Sequence, residues 1–372
     1  MEHLSISQPK GGLHSSPGVL ANASDLPELA QPERGSIHTL CYGLPALESA
    51  ILRAVAYADV FDYPLTVAEV HRYLVGMSAS SAAVGSLLGN GRLVPQRLTR
   101  CREYFTLPGR EGIVETRRCR EQVAARIWPR ALQYARIMVG LPFVRMVAVT
   151  GALAVDNVDP GADIDYFIVT EPGRLWLCRA LVILLVRLAA RRGDVICPNY
   201  FLSEDALILH ERNPYTAHEL TQMVPTAGIA TYRRMRQLNA WTLRFLPNAQ
   251  GPPRRVGATA LPSDAARLPP SLAQDDAVAS GQASGRVGWP WRPARALAEA
   301  ALKTPPGDWL ERWEMMRKMR KFSQHSPALN GDGRGSEAAF CADWCKGHFD
   351  NHAQHTLHAY ADRLHALEEV DG

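Results

Sequence analysis

Long apolar runs are scarce in this chain, and that scarcity is the first constraint. The longest apolar stretch, LWLCRALVILLVRLAA (Leu175–Ala190), spans 16 residues and carries Arg179 and Arg187. A membrane-spanning helix needs about 20 predominantly apolar residues. The stretch therefore reads as a core helix beside a sheet, and no membrane partner is expected. The opening MEHLSISQPKGGLHSSPG has no apolar core of the signal-peptide kind. Cysteine is thin as well: seven, an odd number, scattered over 372 residues. They give no disulfide framework, and a reducing cytoplasm is the expected location. A dominant charge is lacking too, since 41 Lys and Arg against 37 Asp and Glu leave +4 at pH 7. That balance permits a nucleic acid or polyphosphate as partner without implying one. Two catalytic signatures are missing. GSLLGNG (residues 85–91) has no Lys-Ser/Thr to complete a phosphate loop, and no Gly-x-Ser-x-Gly elbow occurs.

What remains is 47% hydrophobic and 21% charged, a composition with room for two or three domains. Residues 1–40, rich in Ser, Pro and Gly, are expected to be a disordered lead-in. In residues 41–110, ALESAILRAVAYADVF places Leu47, Ile51, Leu52 and Val55 at helical spacing. LTVAEVHRYL has Thr66 three residues before Glu69, the capping-box pattern of a second helix. SASSAAVGSLLGN offers Ser80 as cap for a third helix that ends at Gly89–Gly91. Two short β-like runs follow, RLVPQ and EYFTL, around the basic turn RLTRCR. Three helices and a two-stranded wing resemble a winged-helix domain. Its candidate recognition helix has no Lys or Arg, whereas a major-groove reader needs basic and amide side chains. Arg92, Arg97, Arg100 and Arg102 of the wing are expected at a solvated edge, so nucleic acid is not the favoured partner.

Residues 111–142 read as a charged helical connector. From Phe143 the pattern turns to alternating strands and helices: VRMVAVTG, DIDYFIVT, the helix at 175–190, then DVICPNYFL. Helical pieces are expected at 204–211 and 215–224, and a longer helix over IATYRRMRQLNAWTLRFL. Residues 249–292 read as a Pro-, Ala- and Gly-rich linker, and 293–372 as a helical C-terminal region.

The chemistry lies in residues 148–170, AVTGALAVDNVDPGADIDYFIVT. An apolar strand ends at Gly151, a turn-rich loop follows, and a second strand begins Asp163–Ile164–Asp165. Residues two apart in a strand share a face. Two carboxylates held together repel, which pushes one to keep its proton unless a cation sits between them, and hard divalent cations take carboxylate and phosphate oxygens. This strand–Gly–loop–strand pattern resembles the nucleotidyltransferase superfamily, of polymerase-β-like fold, over residues 143–248. The resemblance implies an α+β chain: a nucleotidyltransferase-fold mixed sheet with helices, preceded by the winged-helix-like domain and followed by the helical C-terminal region. It further implies Mg2+ or Mn2+ on Asp163 and Asp165. The reaction would move a nucleoside monophosphate from an NTP to an acceptor, with release of pyrophosphate. Thr150, Gly151 and Ala152 would lie along the triphosphate, with Asn157, Arg174, Glu219 and Asn239 as further nucleotide-side candidates. Asn239 and its neighbour Trp241 have helix packing as the plainer reading, and Asn157 turn formation.

The chain departs from the family pattern twice. Ala152 stands where Ser or Gly is usual, so a hydroxyl contact is missing. The family's third acidic position, on a later strand, falls on Asn199, with Asp194 as the alternative; Asn199 is carried as the third catalytic candidate. The acceptor is expected to be a small molecule, because no concentrated basic surface tracks a nucleic-acid backbone. Two alternatives stand beside this reading: a degenerate member that binds nucleotide without turnover, and a winged-helix DNA-binding regulator.

A second cluster is Cys341, Cys345, His348, His352 and His355, whose spacings of one helical turn place them on one helix face. One straight helix cannot close a tetrahedral zinc shell. An amphipathic helix with buried cysteines and Trp344 is the expectation, and a metal site the alternative.

Overall fold

The computed structural model describes residues 46–254, 292–325, 341–346 and 352–369. The expected lead-in and most of the expected linker lie outside the described residues. The fold is mixed α+β with two sheets. No helix among the described residues is long and apolar enough to cross a membrane.

The first helix, α1 (Ala46–Asp59), buries Ile51, Leu52 and Val55 on its inner face. β1 (Leu65–Thr66) leads into α2 (Val67–Arg72) through a complete capping box. Thr66 accepts from the Glu69 N–H, and the Glu69 carboxylate accepts from the Thr66 N–H. Ser80 caps α3 (Ser81–Gly89) by accepting from the Ala83 N–H. β2 (Thr99–Cys101) and β3 (Tyr104–Thr106) complete an antiparallel sheet of order β1-β3-β2. RLVPQ, expected as a wing strand, is a turn. Arg97 and Leu98 both donate back to the Leu93 carbonyl, and Pro95 has no N–H for a ladder. The hairpin's first strand instead lies inside the stretch read as a basic turn.

The long helix α4 (Ile113–Gly140) ties this module to the larger one. Near its start Arg117 donates to both oxygens of Glu69, each at 2.8 Å, and to Glu121 at 2.8 Å, and it also bonds the Pro64 carbonyl. Its guanidinium lies 4.2 Å and 4.7 Å from the ring centres of Tyr63 and Tyr104. Farther along, Ala124, Trp128, Ala131, Ala135 and Met138 pack on the main sheet.

That sheet contains β4 (Val144–Val149), β5 (Ile164–Thr170), β6 (Ile196–Ser203), β7 (Val224–Ala227) and β8 (Trp344–Lys346), in the order β7-β4-β5-β6-β8. Only β5 and β6 run parallel, joined by the crossover helix α6 (Leu175–Ala190). The period of two sorts β5 cleanly. Ile164, Tyr166 and Ile168 enter the core under α4 and α6, while Phe167 and Val169 enter the core on the opposite face. The Tyr166 hydroxyl donates to the Ala131 carbonyl at 2.6 Å, pinning α4 to the sheet. The opposite face is covered by α7 (Pro214–Gln222), α8 (Ile229–Leu238) and a 3-10 turn at Ala240–Arg244. α5 (Gly151–Ala154) follows β4 directly.

Three expected elements differ. Residues 204–211 are not helical, and Val224–Ala227 form edge strand β7, where Pro225 is tolerated because no further strand needs its N–H. The single helix expected over 229–246 breaks at Asn239. In the C-terminal region, α9 (Arg292–Leu302) and α10 (Pro305–His325) precede a strand before α11 (His352–Glu369). That strand, β8, pairs Cys345 with Phe201 and covers the open edge of β6. Cys341 and Cys345 therefore do not share a helix with His352 and His355, and His348 lies outside the described residues.

Arg117 ties α4 to the N-terminal module. Arg117→Met leaves Glu69 partly buried without its cation, so stability should fall by about 3 kcal/mol. Chemical denaturation measures this, and adding Glu69→Gln should recover part of the loss. An unchanged midpoint for the single variant contradicts the assignment.

Candidate functional site

Asp163 immediately precedes β5 and Asp165 is its second residue, on the face that carries Phe167 and Val169. Both line a cleft of about 490 Å³. Its walls come from α1 and the residues after it, from the loop-facing ends of β5 and β6, from α7, and from β8 with the start of α11. Two residues of α1, Tyr57 and Asp59, hold that wall. Tyr57 stacks on His218 of α7 at 3.6 Å and meets Tyr360 of α11 edge-on at 5.3 Å. Asp59, almost fully buried, accepts from Arg110 at 2.9 Å and from Arg363 of α11 at 2.7 Å.

Gly151 sits at φ +62°, a left-handed conformation that glycine alone adopts freely. A Cβ added there would lie 2.2 Å from Asp165 Oδ2. The missing side chain lets the start of α5 close onto the carboxylate. The Thr150 N–H donates to the Asp165 main-chain oxygen at 3.0 Å, and the Asn157 N–H to the Ala152 carbonyl at 2.9 Å. Thr150, Gly151 and Ala152 all line the cleft.

Asp165 is pushed up to about 8, first by burial, then by the neighbouring Asp163 and Glu219. Hydrogen bonds oppose that rise. Asn199 Nδ2 donates to Asp165 Oδ1 at 2.7 Å, so Asn199 orients the carboxylate. A one-residue register shift between β5 and β6 gives Asn199 its place: Cys197 stands opposite Asp165 and Tyr200 opposite Phe167, with Asn199 between. The Asn199 side-chain oxygen is taken by the Cys197 thiol at 2.8 Å.

Cys197 belongs to the site, and sequence reasoning missed it. Its sulfur and the oxygens of Asp163 and Asp165 lie within 4.8 Å of one another. The signal available was its position two residues before Asn199 on a strand parallel to β5. Burial, then the charges of Asp165 and Asp163, push the thiol up to about 12. The two carboxylates offer an oxygen pair of the kind that fits a hard divalent cation, with the Cys197 sulfur beside them.

The other expected residues separate. Glu219 lines the cleft, raised to about 7 by burial, with Lys346 pulling it down. Asn157 lines it too, but its amide braces the chain after α1, donating to the Phe61 carbonyl at 2.9 Å and accepting from Arg120 at 3.3 Å. Arg174 is not brought to the cleft. It stands beyond the far end of β5, donating to Asp308 of α10 at 2.5 Å with Phe143 beneath it. Asn239 is fully buried and binds the Leu209 N–H and the Leu207 carbonyl, a structural role that Trp241 shares through its indole N–H. Asp194, the alternative third acid, accepts from Tyr134 and Arg130 of α4 on the other face.

Comparison with known proteins adds no relative: no family model, curated protein or solved structure matches the chain.

The raised Asp165 has a consequence for stability. The unfolded carboxyl ionises near pH 4, whereas the folded one keeps its proton up to about pH 8. Between those values the folded state binds the extra proton, so the metal-free protein loses stability as pH rises. Thermal melts of chelator-treated protein from pH 5 to pH 8 should show Asp165→Asn gaining on the parent steadily toward the upper end. Parallel curves contradict the assignment.

Proposed function

We propose that this chain is a nucleotidyltransferase: it takes a nucleoside monophosphate from an NTP, passes it to a small-molecule acceptor and releases pyrophosphate. The observation that carries the reading is the Asp163–Asp165 pair on one face of a strand end, pressed against the glycine that opens α5, in a cleft of small-molecule size. Asp163 and Asp165 would hold Mg2+ or Mn2+. Such an ion, when bound, offsets the triphosphate's charge and favours ionisation of the attacking group. Asn199 fixes the Asp165 rotamer, and Gly151 lets the start of α5 lie directly against the carboxylate. Lys346, the lysine that lines the cleft, is paired with Glu211 at 3.1 Å. Neutralisation of a polyphosphate therefore falls to ions on the two aspartates.

A second reading is favoured by one specific observation. The third carboxylate of the family pattern is replaced by an amide that donates to Asp165, which suits nucleotide binding without turnover. The DNA-regulator reading has no comparable support, because α3 carries no basic residue.

The test is pyrophosphate release from each NTP with Mg2+ or Mn2+ and a panel of small acceptors, run beside equilibrium nucleotide binding. Asp163→Asn with Asp165→Asn should abolish metal-dependent binding and release while the melting temperature holds or rises. Metal-dependent binding without release selects the second reading. Nucleotide binding that survives the double substitution removes both.

A further inference from the structure

We infer, resting on the transferase reading, that the part of the cleft away from the two aspartates is an acceptor chamber for a molecule with a flat apolar ring body and a cationic amine, with Glu219 as the amine's anchor. Tyr57, Phe61 and Tyr63 line the cleft from the α1 side, and Phe167, Tyr200 and Trp344 from the sheet. Phe167 and Tyr200 lie stacked, centroids 4.9 Å apart and planes within 10°. These rings give the chamber an apolar aromatic wall, which favours a flat apolar partner.

The charged groups of the chamber are unequal. Glu211 and Lys346 answer each other, the ammonium lying 3.1 Å from both carboxylate oxygens. The neighbouring His218 is committed: its Nδ1 lies 2.8 Å from the Pro214 carbonyl, and its ring is stacked on Tyr57. The Glu219 carboxylate makes no hydrogen bond among the described residues and still borders the open space. A carboxylate among aromatic faces attracts a cation twice, by its own charge and by the ring quadrupoles. An anionic or neutral polar acceptor meets neither attraction. The remaining acidic groups of the cleft, Asp163 and Asp165, are assigned to metal and phosphate, which leaves Glu219 for the acceptor.

Full-length, chelator-treated protein tests this without nucleotide, using three probes by calorimetric titration: tryptamine (ring and cation), indole-3-propionate (ring and anion) and spermidine (cation without ring). Tryptamine should bind at least about tenfold tighter than either other probe. Glu219→Gln should weaken it about tenfold, as loss of one charge-assisted hydrogen bond predicts. Phe61→Ala, at a partly exposed wall position, should weaken it several-fold while the fold is kept. Equal binding of the three probes, or no tryptamine binding, overturns the chamber, as does affinity indifferent to both Glu219→Gln and Phe61→Ala. The two readings fail separately. Metal-dependent nucleotide turnover with no tryptamine preference removes the chamber alone. Glu219-dependent tryptamine binding without metal-dependent nucleotide binding supports the chamber and removes the transferase.

Discussion

Asp163 and Asp165 stand together at the cleft end of β5, and the surrounding structure keeps them there. Asp165 is fixed from three sides: the Asn199 amide beside it, the Thr150 N–H on its main-chain oxygen, and Gly151 packed against its side chain. None of these neutralises it. The nearest charged neighbours, Asp163 and Glu219, make its ionisation harder. Ionising Asp165 beside Asp163 carries a cost that a bound cation would lower. That cost ties the fold to the proposed chemistry.

The rest of the architecture serves to enclose the pair. α4 backs the sheet and grips the small N-terminal sheet through Arg117, which carries α1 over the cleft. α11 returns to α1 through Arg363 and Tyr360. On the far side, α10 holds α6 by offering Glu311 to the N–H groups of Trp176 and Leu177, each at 2.8 Å. Arg174 serves this anchoring. A cation at the start of the helix after β5 looked available to phosphate in the sequence, yet the helix begins at the opposite end of the strand from Asp165.

Local signals in the sequence were reliable where local physics decides. The capping box at Thr66–Glu69, the apolar runs of β4 and β5, and the pairing of Asp163 with Asp165 each depend on spacing within a few residues. What was hidden depends on partners distant in sequence. β7 and β8 are short edge strands whose pairing is set by β4 and β6, so Val224 read as the end of a helix, residues 225–227 as a connection, and Trp344–Lys346 as part of a helix. Asn239 looked like a cleft residue because its polarity was visible and its burial was not. Cys197 went unnoticed because membership of the site follows from the β5–β6 register, which a single sequence does not reveal.

The central claim is that the two aspartates are held together in order to share a divalent cation. Anomalous diffraction from crystals soaked in manganese and a non-hydrolysable NTP analogue tests it most directly. A manganese peak is expected within coordination distance of both Asp163 and Asp165, with phosphate oxygens completing its shell. A map with no peak there, and both carboxylates hydrogen-bonded only to solvent while nucleotide binds elsewhere, contradicts it.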